Sequence, residues 1–192
     1  YRLRKQNIIA RIERGKYTLH QDIMIFASYL ITPSYLGLWS ALRYYNLTQQ
    51  QPHSVFILSP LSKNKLRFLN TDIIFLKTKQ MFGYKKERYA DFDIFISDKE
   101  KTIIDALLFR VHIEDINNAI DNEEINYERL SEYAIRTKNI SLIKRLGYIL
   151  ERKKGDSYGL KAMDNNYIKL DYLGKNKGKR DTRWKLIVNT RI

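Results

Sequence analysis

Residues 93 to 108 read Asp93-Ile94-Phe95-Ile96-Ser97-Asp98-Lys99-Glu100-Lys101-Thr102-Ile103-Ile104-Asp105-Ala106-Leu107-Leu108, and the apolar pattern changes character in the middle of the stretch. The first four are a short β-rich run. Ser97 with Glu100 three positions later forms a capping box, and Ile103, Ile104, Leu107, Leu108 and Val111 then recur at the three- and four-residue spacings of one helix face. Upstream, the runs Val55-Phe56-Ile57-Leu58, Leu66-Arg67-Phe68-Leu69 and Ile73-Ile74-Phe75-Leu76 are separated by polar turns and read as strands. Downstream, helices are expected at about 113 to 121, 127 to 137 and 140 to 153. Strands segregated from helices in this way predict an α+β fold with a mainly antiparallel sheet.

Before the strands, residues 22 to 46 are expected to be helical in two pieces. Asp22 to Leu30 is the first; Thr32 as N-cap and Pro33 at the first helical position open the second, which buries Tyr35, Leu38, Trp39, Leu42 and Tyr45 on one face. At the start of the chain, Tyr1 to Gln6 read as the last turn of a helix capped by Asn7. Ile8 to Ile12 and Lys16 to Leu19 then make a two-stranded hairpin, with Gly15 in its turn. A helix followed by a basic hairpin is how a winged helix-turn-helix domain ends, so residues 1–20 are expected to be the wing-bearing remnant of such a domain and residues 21–192 a second, α/β domain. At the other end, Gly174-Lys175-Asn176-Lys177-Gly178-Lys179-Arg180 forms a lysine-rich loop before an alternating strand at Trp184 to Asn189.

The 192 residues are 44% hydrophobic, contain no cysteine and carry a formal net charge of +14. That is enough apolar material for a core, a disulfide scaffold is excluded, and no apolar run reaches the roughly 20 residues of a membrane helix. The charge is concentrated at the ends. Residues 1–20 hold six Lys or Arg against one acid and residues 174–192 hold seven against one, whereas the other 153 residues hold 22 basic and 19 acidic side chains. Basic excess of this kind attracts polyanions. The expected DNA-binding residues are Arg4, Lys5, Arg11, Arg14, Lys16, Lys175, Lys177, Lys179, Arg180 and Arg183, with the wing and the lysine loop forming one phosphate-binding strip.

Catalytic signatures are weak. His20, His53 and His112 are isolated from one another in sequence, and neither a glycine-rich phosphate loop nor a nucleophile elbow occurs. Asp98-Lys99-Glu100-Lys101 lacks the carboxylate and lysine spacing of a restriction-type nuclease. Lys101 and Asp105, one turn apart, are expected to pair on the helix surface. Tyr84-Lys85-Lys86-Glu87-Arg88-Tyr89 interleaves rings and cations as single-strand stacking surfaces do, but fourteen tyrosines make such neighbours common. A non-enzyme without metal or cofactor is expected. The alternatives are a metal-dependent nucleic-acid-processing enzyme using Asp91, Asp93 and Glu100, or a protein that acts by direct protein-protein contact, its acidic helices, 113 to 134, docking a basic partner.

Several segments together resemble the AbiEi antitoxin family, the repressor half of abortive-infection toxin-antitoxin operons. They are Arg11-Ile12-Glu13-Arg14-Gly15-Lys16-Tyr17, Thr32-Pro33-Ser34-Tyr35-Leu36-Gly37-Leu38-Trp39-Ser40-Ala41-Leu42-Arg43-Tyr44-Tyr45-Asn46-Leu47-Thr48, Phe82-Gly83-Tyr84, Ser97 to Leu107, and Trp184 to Asn189. The resemblance implies a cytoplasmic, DNA-binding transcription regulator that occupies inverted repeats in its own promoter as a homodimer. It also implies a C-terminal domain that counters a nucleotidyltransferase-like toxin. The first two helices of the reading head, with most of the recognition helix, are expected to lie upstream of Tyr1.

Overall fold

The computed structural model describes residues 8–50 and 53–192. The helix expected over Tyr1 to Gln6 and its cap Asn7 lie outside the described residues. The fold is α+β, and the chain divides into two compact units, Tyr1–Asp98 and Lys99–Ile192.

In the first unit, β1 (Ala10–Glu13) and β2 (Lys16–Thr18) form the expected hairpin, with Gly15 at a left-handed φ of 79° in its turn. Only glycine takes that conformation without a Cβ penalty. A short helix α1 (Met24–Ala27), strand β3 (Tyr35–Leu36) and helix α2 (Trp39–Tyr44) follow. Strands β4 (Ser54–Ser59), β5 (Leu66–Phe68), β6 (Thr71–Lys77), β7 (Tyr84–Tyr89) and β8 (Phe92–Ser97) complete a six-stranded sheet in the order β5-β6-β4-β3-β8-β7. Antiparallel pairs predominate, as expected, but β4 pairs with β6 and β3 with β8 in parallel. Ile57, Ile73, Ile94 and Ile96 from the sheet bury against Ile23, Ala27 and Leu30 from the α1 region and Ala41 of α2, with Ala10 and Ile12 of the hairpin packed at the margin.

The structure corrects one expectation here. The second helical piece does not begin at Pro33: Tyr35 and Leu36 are a central strand, and the helix starts only at Trp39, after Leu38 takes a φ of 50° that no helix tolerates. Pairing on both sides explains why this run is apolar on both faces. Tyr84 to Tyr89 forms an edge strand of the sheet, and its two tyrosines are engaged within the unit. Tyr84 stacks on Tyr35 at 4.9 Å, and Tyr89 packs against the unit's core. Its exposed Lys85, Lys86 and Arg88 protect the open edge from further pairing.

The second unit opens with α3 (Lys99–Leu108), then α4 (Ile113–Ile120), α5 (Tyr127–Arg136) and α6 (Ile140–Lys154). Asn126 and Asn139 cap α5 and α6 by accepting from the N–H groups of Arg129 and Leu142. Basic α6 pairs with the acidic end of α4 through Lys153 and Asp121 at 2.5 Å. Three short strands close the unit, β9 (Ile168–Lys169), β10 (Lys179–Asp181) and β11 (Leu186–Val188), ordered β10-β11-β9. Trp184, just before β11, is buried against Gly147 of α6, where any Cβ would overlap its six-membered ring.

Candidate nucleic-acid interface

Among the described residues, the cations expected to bind DNA lie on or beside one hairpin in each unit. On β1–β2, Arg11 and Arg14 point to solvent. Arg11 Nε donates to the Glu13 carbonyl at 3.3 Å, and Arg14 has no carboxylate partner among the described residues. Lys16 is more committed. Its Nζ lies 3.0 Å from the Glu13 carboxylate and donates to the Leu30 carbonyl at 2.6 Å. Glu13 also accepts from Lys63 at 2.9 Å, and that hydrogen bond above all, with the one from Lys16, holds its carboxyl below the ordinary glutamate value. Lys16 therefore ties the hairpin to the segment after α1 more than it offers charge to a ligand. Arg4 and Lys5, expected beside it, lie outside the described residues.

The second cationic region is built by β10, β11 and the loop before them. Asn189 Nδ2 donates to the carbonyls of Asp171 at 2.8 Å and Lys175 at 2.9 Å, while its Oδ1 accepts from the Asp171 N–H at 2.9 Å. Lys169 Nζ holds the Gly174 carbonyl at 2.9 Å. With its backbone pinned, the loop presents Lys175, Lys177, Lys179 and Arg180 outward, and none of the four meets a carboxylate among the described residues. Arg180 stands over the Tyr167 ring at 5.3 Å, with Lys185 over the same ring at 5.9 Å. Arg183 differs, since Glu151 engages it at 2.8 Å. Residues 99–173 hold thirteen basic and thirteen acidic side chains, so the unit's whole excess of positive charge comes from residues 174–192.

Sequence reasoning found these cations but missed Asn189, Lys185 and Tyr167, which orient them. Asn189 bonds groups 14 and 18 residues away, and no local pattern marks such a pairing.

Of the carboxylates considered for catalysis, Asp93 and Glu100 are otherwise engaged, and Asp91 stands exposed in the turn between β7 and β8. Lys101 and Asp105 do pair, but both side chains are fully buried and not on the helix surface. Their helix is central, with α4, α5 and α6 packed on it. Glu100 is buried too, accepting the Asn126 N–H at 2.8 Å and facing Arg129, which ties α3 to the start of α5. Asp93 meets Lys86 at 2.6 Å and Arg88 at 3.5 Å. Among the described residues no three His, Asp or Glu side chains gather as a metal site, and no helix is long and apolar enough to cross a membrane. Compared with protein-family models and with curated proteins, the chain matches none.

Proposed function

We propose that the protein is a DNA-binding transcriptional repressor and antitoxin of the AbiEi type, acting in the cytoplasm on its own promoter. The carrying observation is the ordered ridge of Lys175, Lys177, Lys179 and Arg180, cationic and without carboxylate partners among the described residues. Such groups neutralise phosphates and release counterions, while Arg11 and Arg14 on the wing-like hairpin grip the backbone or the minor groove. Phosphate contacts give affinity and register but little base preference, which belongs to a recognition helix in the major groove. The role as repressor and antitoxin rests on the resemblance of the chain's segments to that family.

Gel-shift titration of the full-length natural protein on the duplex upstream of its own gene, against unrelated duplex, tests the reading. Preference for its own promoter is expected; equal affinity for both would sink the repressor. The exposed Glu114, Glu123, Glu128 and Glu132, on and between α4 and α5, favour neutralisation by direct contact with a basic toxin surface. Charge reversal at these four should abolish co-purification of a nucleotidyltransferase-like toxin encoded beside it; unchanged co-purification would exclude that surface.

A further inference from the structure

The first unit contains a cleft of about 590 Å³, within the roughly 300–1,000 Å³ span of small-molecule sites. Its walls come from the start of α1, from α2, from the first residues of β4 and β6, and from the end of β7. Much of the hydrogen-bonding capacity facing it is unused. Arg43, exposed in the last turn of α2, makes no side-chain hydrogen bond or ion pair among the described residues. Neither do the indole N–H of Trp39, the imidazole of His53, or the hydroxyls of Ser54 and Thr71. Lack of a carboxylate is not general around this sheet, where Lys63 pairs with Glu13, Lys65 with Asp72 and Lys86 with Asp93, although Arg67 and Lys77 share it with Arg43. An uncompensated guanidinium among free donors is an anion site.

The cleft also has flat walls. Trp39 and Arg43 are one helical turn apart, and the rings of Tyr44 and Tyr89 lie 6.1 Å from each other. The single carboxylate, Asp22, accepts from the Met24 N–H at 2.9 Å and the Tyr89 hydroxyl at 2.8 Å, so it is oriented and keeps lone pairs for a ligand's O–H or N–H. Aromatic walls, a guanidinium and an oriented acceptor match a flat heterocycle joined to a hydroxylated sugar and a phosphate. We propose that this cleft binds a free nucleotide, its base against Trp39 and Tyr44, its phosphate on Arg43 and its ribose hydroxyls toward Asp22. This inference does not rest on the DNA-binding reading.

Calorimetric titration of the full chain with AMP, GMP, CMP and UMP tests it, with tryptophan fluorescence followed in parallel. Adenosine and inorganic phosphate serve as the two half-ligands. At least one mononucleotide should bind saturably, with adenosine and phosphate each at least tenfold weaker. Arg43→Ala should weaken the nucleotide at least tenfold and leave adenosine unchanged, with an unaltered circular dichroism spectrum because Arg43 is exposed. Absence of binding by all four below millimolar concentration, or an Arg43→Ala protein that binds as tightly as the parent, would overturn the proposal. So would tighter, Arg43-dependent binding of a 5′-phosphorylated pentanucleotide, which would move the ligand from a free nucleotide to a chain end.

Discussion

A carboxylate between two lysines decides which of the first hairpin's cations are available. Glu13 holds Lys16 and Lys63, so Arg11 and Arg14 alone face outward unencumbered by an acid. Because the folded-state pKa of Glu13 is lowered, its contribution to stability is complete above about pH 4.3, the ordinary glutamate value, and fades as pH falls through the folded value. The pairs are partly exposed, so screening limits this to about 1 kcal/mol. Glu13→Gln should lower the melting temperature by about 2–4 °C at pH 7 and show a shallower decline between pH 5 and pH 3 than the parent; equal acid limbs would remove Glu13 as the titrating group. The Lys101–Asp105 pair is a larger matter. Asp105→Ala leaves a buried ammonium without its counter-charge and should cost about 3–5 kcal/mol in urea denaturation, most of it recovered in Lys101→Met/Asp105→Leu. A loss below 1 kcal/mol would mean that water reaches Lys101.

Elements were legible where local periodicity alone builds them. Strands β4, β6 and β8 and helices α3 to α6 stand where apolar spacing puts them, because each buries a face that its own sequence writes. Tyr35 and Leu36 were not legible: two residues have no period, and their strand exists only because β4 and β8 flank it. The buried face of Lys101 and Asp105 was hidden for a similar reason, since packed helices surround charges that in isolation belong on a surface. In the candidate sites, composition revealed the cations, whereas Asn189 and the cleft depend on residues brought together from distant parts of the chain. Gly147 belongs to the same class. It permits Trp184 to lie directly on α6, where the indole N–H reaches Glu151 at 2.5 Å. Gly147→Ala should displace the ring, cost about 1–3 kcal/mol through overpacking and red-shift the tryptophan emission. An unshifted spectrum would show that the helix moves instead.

For the molecule as a whole, a net charge of +14 is informative through its placement. A uniformly basic surface would lose affinity for DNA in proportion to any cations removed, wherever they lay. Here the second unit is neutral over residues 99–173, and most of its excess lies on a pinned loop and one strand, with four cations that no acid neutralises among the described residues. Lys144 and Arg145, by contrast, are engaged within the unit: Lys144 by Asp164 and the Asn166 carbonyl, Arg145 by the Lys169 carbonyl at 2.9 Å. Two sets of lysines and arginines in one chain should therefore differ in what their removal does. If the ridge grips duplex, every phosphate that is no longer neutralised reduces the slope of log affinity against log salt by about 0.9. Replacing Lys175, Lys177, Lys179 and Arg180 with alanine should flatten that slope by about 3 to 4 and leave the melting temperature nearly unchanged. Lys144→Ala should do the reverse, lowering the melting temperature while the salt slope of the folded protein stays put. The same slope in the parent and the ridge variant would assign the DNA contact to the first unit's hairpin.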